Sequence, residues 1–235
     1  GDANIDYILA TGGAGGSFSC GSDAGFSTFL DRWASPHLIG VDFDIEVGQS
    51  QAQITALAQR ALAAHAAHPG LRFSFTIATL ANTEPGESLN GTGVQTVSAL
   101  ASVFGTLPSY ITVNLMTMDY GGGSPYICAV GPSGACDMGE SAAQAARDIH
   151  ANHAIPYANI ELTPMIGGND VQANVFRLAD VDTLAAFVVA NGLAGVHYWS
   201  YDRDTDCPPG SASPTCNSLG GVGAHGFLAR FTSRL

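Results

Sequence analysis

The sequence predicts an α/β fold of the TIM (β/α)8-barrel type, formed by one domain over residues 1–235. Three observations carry this. Strand-length apolar runs alternate with helix-period segments, the order that produces βαβ units around a parallel sheet. Gly-rich and polar clusters follow the strands ("GGAGGS", "VGQS", "NTEPGE", "YGGGSP", "GGND", "DRDTDC"), where a barrel carries its longer loops. Finally, 235 residues that are 46% apolar can bury one large core, and no linker or low-complexity tract interrupts them. A doubly wound open sheet is the competing architecture. "GGAGGS" is neither a complete G-x-G-x-x-G nor a P-loop, so its small residues read as sites of close backbone approach.

Six strands are expected: "NIDYILATGG" (4–13), "LIGVDFDIE" (38–46), "RFSFTIATL" (72–80), "ITVNLMTMDYG" (111–121), "NIELTPMIGG" (159–168) and "GVHYWSYD" (195–202). Between them lie the helical patterns "GFSTFLDRWAS", "SQAQITALAQRALAAHAAHPG", "GVQTVSALASVFG", "ESAAQAARDIHANHA" and "DVDTLAAFVVANG". In the second of these, Ile54, Leu57, Ala58, Ala61 and Leu62 follow an i, i+3, i+4, i+7, i+8 stripe. Ser50 is positioned to cap its start, and Pro69 and Gly70 end it.

Only 12% of the chain is charged, and the net charge is −12 with eight Lys plus Arg. That balance argues against nucleic acid and anionic membrane as partners and suits a neutral polar ligand such as a sugar. No apolar run approaches the length of a membrane span. Of the five cysteines, Cys128/Cys136 and Cys207/Cys216 each bracket a short Gly/Pro/Ser-rich loop, as a loop-closing disulfide does. Zinc would want tighter pairs and nearby histidines. Two disulfides imply an oxidising, secreted setting. Cys20 is left over.

The stretch "GVDFDIE" places Asp42, Asp44 and Glu46 on one face of a strand, with Val41, Phe43 and Ile45 on the other. Three like charges so close raise the pKa of at least one carboxyl, which holds a proton for acid catalysis. A solvated edge strand would mix in Thr, Ser or Lys. A metal site would bring histidines or a Gly turn, so no metal and no cofactor is expected. Asp202, Asp204 and Asp206 start like a calcium loop, but Cys207 and Ser213 stand where its Gly and Glu belong. His65 and His68 near a helix end read as dipole contacts.

The acid strand resembles the D-x-x-D-x-D-x-E signature of family 18 glycoside hydrolases, the chitinases, except that Ile39 replaces the first Asp. "ATGGAGG" is similar to the family's S-x-G-G strand end, with Thr11 for Ser. "LMTMDYG" resembles its bacterial M-x-[MY]-D-Y strand, and "GVHYWSYDRD" its last strand, whose Trp underlies the sugar. All four motifs occur in the family's order.

The resemblance implies retaining hydrolysis of β-1,4-linked N-acetylglucosamine polymers without an enzymatic nucleophile, the substrate's 2-acetamido carbonyl attacking instead. Glu46 would be acid and then base, Asp44 would orient the acetamide N–H, and Asp42 would tune Asp44 by sharing a proton with it. Tyr120 would hydrogen-bond the acetamide oxygen. Trp199, Met118, Asp119 and Met165 would line the sugar subsite, and Met116 would be core. Strict alternation places Met118 and Tyr120 on one face and Asp119 on the other. An endo-β-N-acetylglucosaminidase and a non-catalytic chitin-binding lectin are the alternatives, although Glu46, the acid such lectins lose, is present. The motifs match the family's strands three to eight, so an incomplete barrel with two open edges is expected. It would be either a fragment or one that self-associates to cover the gap.

Overall fold

The structure is a computed structural model and describes residues 4–46 and 48–235. In chain order the elements are β1 (Tyr7–Gly12), α1 (Asp23–Trp33), β2 (Leu38–Asp44), α2 (Gln51–Ala67), β3 (Arg72–Ala78), α3 (Gly91–Phe104) and β4 (Ile111–Thr117). There follow α4 (Met138–His153), β5 (Ile160–Pro164), β6 (Gly167–Gly168), β7 (Val175–Phe176), α5 (Leu178–Asn191), β8 (Gly195–Val196) and α6 (Gly226–Thr232). Six strands form one sheet in the order β1-β2-β3-β4-β5-β8, and β6 and β7 form a separate ribbon. The pairs β1–β2, β2–β3 and β5–β8 are parallel. This is the incomplete TIM-type α/β architecture that the sequence predicts. The chain divides into two compact units, Gly1–Ala78 with Leu89–Asn114, and Thr79–Ser88 with Leu115–Leu235.

In the first unit, alternation along β2 does what the sequence requires. Val41, Phe43 and Ile45 are at most 1% exposed. Phe43 stacks on Phe73 at 6.3 Å and lies 5.9 Å from Phe26 of α1, which forms an aromatic core between sheet and helices. The α2 stripe is buried at Ile54, Leu57, Ala58 and Ala61, and Ala64 completes it. Leu62 does not belong to it and is 44% exposed, because the stripe continues through Ala64 rather than turning to Leu62. Ser50 and Gln53 form a reciprocal capping box at the start of α2. His65 stacks on Tyr110, and its Nδ1 donates to Leu71 O at 2.9 Å, so it closes the helix end.

In the second unit both expected disulfides form, Cys128–Cys136 and Cys207–Cys216, with Cα–Cα distances of 5.7 and 5.8 Å. Cys20, in the first unit, is a free thiol. The acids that imitate a calcium loop serve the fold instead. Asp204 accepts from Phe227 N and Leu228 N at 2.9 and 2.8 Å, capping α6, and Asp206 accepts from Asn217 Nδ2, Val222 N and Gly223 N. Arg203 is fully buried, and its guanidinium donates to the carbonyls of Ile166, Gly168 and Ser213. No helix among the described residues is long and apolar enough to cross a membrane.

The strands are shorter than the apolar runs suggest. β4 ends at Thr117 because Asp119 adopts φ +53°, which no strand accommodates. β8 keeps two ladder residues, although a single bridge from Met165 to Trp199 prolongs its pairing with β5. α6 and β7 carry no periodic signal and were not expected, while β6 falls at the end of the expected strand 159–168 but pairs separately, with β7.

Candidate active site

The acid face of β2 is assembled within the first unit. Asp42 points at β3, where Ser74 Oγ and Thr76 Oγ1 donate to its Oδ1 at 2.5 and 2.7 Å. Asn114 Nδ2 donates in turn to Thr76 Oγ1 at 2.9 Å, which fixes the direction of that hydroxyl. Thr11, at the end of β1, donates its hydroxyl to Asp42 O at 3.0 Å.

Asp44 is the last residue of β2 and lies opposite Gly12 in the register. Gly12 and Gly13 both have φ +91°. A Cβ on Gly12 would overlap the Asp44 carbonyl, and one on Gly13 would stand 3.2 Å from Asp44 Oδ2 and 3.8 Å from Glu46 Oε1. The glycines therefore allow β1 to close on the carboxylates, which is the close backbone approach read from "GGAGG". Asp44 Oδ1 is buried and has no hydrogen-bond partner among the described residues. Burial, then Glu46, then Asp42 push the Asp44 carboxyl up to about 7. Asp44 therefore holds a proton close to neutral pH. Glu46 lies just beyond the strand end and is half-buried.

The second unit holds the remaining candidates. Trp199 is 56% exposed, and its backbone pairs with Met165, which is buried. An indole held by strand pairing in this way presents a flat apolar face. Met118 and Met116 are both half-buried, so Met116 is not a fully enclosed core residue. Beyond Thr117 the alternation lapses. Asp119 turns its carboxylate to Val171 N at 2.8 Å, while its own N–H donates to Asn169 Oδ1 at 3.2 Å. Asn169 also donates to Met165 O and Gly167 O, and Asn174 exchanges two hydrogen bonds with the Gly121 backbone. These two buried asparagines fasten the "MDYG" turn to the segment after β5. Sequence reading did not single them out; Asn169 falls in the polar cluster "GGND", and Asn174 lies beyond it. Tyr120 is buried, and the Thr117 side chain is the polar neighbour of its hydroxyl. Burial pushes the phenol up, and the Asp148 carboxylate of α4 acts in the same direction. As it stands, that hydroxyl faces protein.

Within the first unit the structure thus brings together Asp42, Asp44, Glu46 and the Gly12–Gly13 turn. Within the second it brings together Met165 with Trp199, and Asp119 with Asn169. No group of acids, histidines and cysteines among the described residues is arranged to hold a metal ion.

No family model and no curated protein matches the chain. Solved structures do. The catalytic domain of a hyperthermophilic chitinase from Pyrococcus furiosus is 26% identical with a TM-score of 0.72, over 96% of this chain and 71% of that one. Catalytic-site mutants of active domain 2 of the thermostable Pyrococcus furiosus chitinase, complexed with chito-oligosaccharides, give a TM-score of 0.73 at the same identity and coverage. A Group IV chitinase from Ostrinia furnacalis shares the fold at 10% identity, with a TM-score of 0.61 over 99% of this chain and 80% of that one. The likeness to chitinases read from the four sequence motifs is thus met again in the fold, where the chain is similar to chitinase catalytic domains.

Proposed function

We propose that the chain is a retaining hydrolase of β-1,4-linked N-acetylglucosamine polymers. The observation that carries this is the acid face of β2, where three carboxylates share one side and Asp44 holds a proton up to about 7 against the Gly12–Gly13 turn. The chito-oligosaccharides bound to the Pyrococcus furiosus mutants support the substrate class.

In this reading the substrate's acetamido oxygen attacks the anomeric carbon as Glu46 protonates the departing glycosidic oxygen. Glu46 then takes a proton from the incoming water, which opens the oxazolinium intermediate. Asp44 accepts a hydrogen bond from the acetamide N–H and balances the positive charge that develops there. A donor on Asp44 favours its ionised form, so sugar binding displaces the proton that burial holds there. Asp42, fixed by Ser74 and Thr76, is the neighbour through which that proton is shared. Trp199 offers its exposed face to a pyranose ring, with Met165 and Met118 as apolar lining. Asp119 contributes by holding the turn after β4 rather than by touching sugar. For Tyr120 to bond the acetamide oxygen, its hydroxyl has to leave its enclosed position.

Purified protein incubated with chitotetraose and, separately, with a high-mannose glycopeptide tests the reading. Cleavage of the chitin oligomer alone is the expected result. Cleavage of the glycopeptide alone would reassign the substrate to N-linked glycans. A protein that binds chitotetraose without cutting it would be a lectin. The two disulfides fit a secreted enzyme, and self-association through the edges at β1 and β8 is checked by its mass in solution.

A further inference from the structure

The acid face of the first unit's sheet carries a cation as well. Register sets Gly40 opposite Arg72 and Asp42 opposite Ser74, so Gly40, Asp42 and Asp44 of β2 share a face with Arg72, Ser74 and Thr76 of β3. From β1 the register brings Ile8, Ala10 and Gly12 to this face. From β4 come Thr112 and Asn114, which bond to the Arg72 and Thr76 side chains. None of these residues of β1 and β4 titrates, so among the described residues the charged groups of this face are Asp42, Asp44, Glu46 and Arg72.

The stem of Arg72 crosses Gly40. A Cβ on that glycine would stand 2.7 Å from Arg72 Cγ and 2.6 Å from Arg72 O. The half-buried guanidinium donates to Thr112 Oγ1 at 3.3 Å. A hydroxyl does not balance its charge, and taking a cation out of water without a counter-charge is costly. The carboxylate that acts on it is Asp42, the next side chain along this face of β2 from Gly40; burial opposes the charged guanidinium and Asp42 favours it.

Asp42 and Asp44 thus meet opposite surroundings on one strand. Asp42 Oδ1 accepts from Ser74 and Thr76 and has the Arg72 cation beside it, all of which favour its ionised form. Asp44 has burial and two negative neighbours, Glu46 and Asp42, all of which favour its protonated form.

We infer that Arg72 is a positioning residue for the Asp42–Asp44 pair: from across Gly40 it holds the negative charge on Asp42, so that the proton the pair shares rests on Asp44. When the acetamide N–H of the sugar displaces that proton, Asp42 keeps little of it, and it passes on to solvent. Arg72 thereby sets the acid limit of hydrolysis. This consequence rests on the proposed hydrolysis of N-acetylglucosamine polymers, whereas the resting place of the proton can be measured without sugar.

The test is a carboxyl-carbon NMR titration of wild type, Arg72→Gln, Arg72→Met and Arg72→Lys. The pH profile of chitotetraose hydrolysis and melting temperatures are measured alongside, and Asp44→Asn assigns the Asp44 signal. In wild type the change at about 7 is carried by Asp44. In the neutral variants Asp42 becomes the stronger base and carries part of that change, and the pair titrates higher by about half a unit or more. Asp42 then accepts the displaced proton, so the fall of kcat/KM from about pH 7 to about pH 5 shrinks by about threefold or more. Arg72→Lys keeps a cation there and stays close to wild type in both readouts.

An Asp44 titration unchanged in the neutral variants overturns the inference, as does a lysine variant that behaves like them. Failure of both neutral variants to fold would assign Arg72 to the core and overturn it too. If wild type neither binds nor cuts chitotetraose, the reading beneath falls with the kinetic consequence, and the NMR titration still decides where the proton rests. A wild type that cuts normally beside unmoved titrations removes the inference alone.

Discussion

Gly12 and Asp44 face each other across the β1–β2 ladder so closely that any side chain at Gly12 would occupy the position of the Asp44 carbonyl. Both the φ of +91° and the contact demand glycine there. Gly12→Ala should therefore destabilise the protein by about 2 kcal/mol or more, since neither the backbone nor the neighbouring strand can give way cheaply. Denaturant unfolding measures the loss, and an unchanged midpoint would mean that β1 does not hold the acid strand as described.

Asp44 links the site to stability through pH. Its carboxyl is pushed from 3.8 to about 7, chiefly by burial, so the fold favours the protonated form. Stability from this group is fully present below pH 3.8 and is lost as pH rises through about 7. Asp44→Asn keeps the shape without the charge. Its melting temperature should exceed that of wild type by about 3 °C or more at pH 8, with the gap closing by pH 4. A gap that stays constant over this range would rule out Asp44 as the titrating group.

The two disulfides close loops with sequence separations of 8 and 9 residues. Opening either by a Cys→Ser pair should cost about 2–3 kcal/mol if the loops are mobile when unfolded. The Cys207–Cys216 loop carries the larger structural consequence. Ser213, within it, receives the buried Arg203 guanidinium, which also holds Ile166 and Gly168 beside Met165. Loss of Cys207–Cys216 should therefore weaken sugar binding as well as stability, whereas loss of Cys128–Cys136 should affect stability alone. Paired calorimetry and chitotetraose binding on the two variants separate the effects.

What could be read from the sequence followed from local rules. Period-two alternation in β2 identified the acid face and the apolar face because a strand leaves a side chain no other choice. The Ser50 cap and the glycines of "ATGGAGG" were equally local. The features that escaped depend on partners distant in sequence. The end of β4 is set by Asp119 bonding to Asn169 and Val171, so alternation could not carry Met118 and Tyr120 onward as drawn. α6 is seven residues long and takes its cap from Asp204, far upstream, so no run of periodic apolar residues announces it. Glu161 lies 3.4 Å from His197 across two strands, and although His197 stands in "GVHYWSYDRD", no local pattern points to Glu161 as its neighbour.

The most direct measurement is hydrolysis of chitotetraose by wild type and by Glu46→Gln under identical conditions. Glutamine preserves the size of the side chain but cannot deliver the proton that the leaving oxygen needs. The account predicts product from wild type and a fall in kcat of about a hundredfold or more in the variant, with binding retained. Equal turnover by the two proteins would contradict it, because the proton would then come from a group other than Glu46.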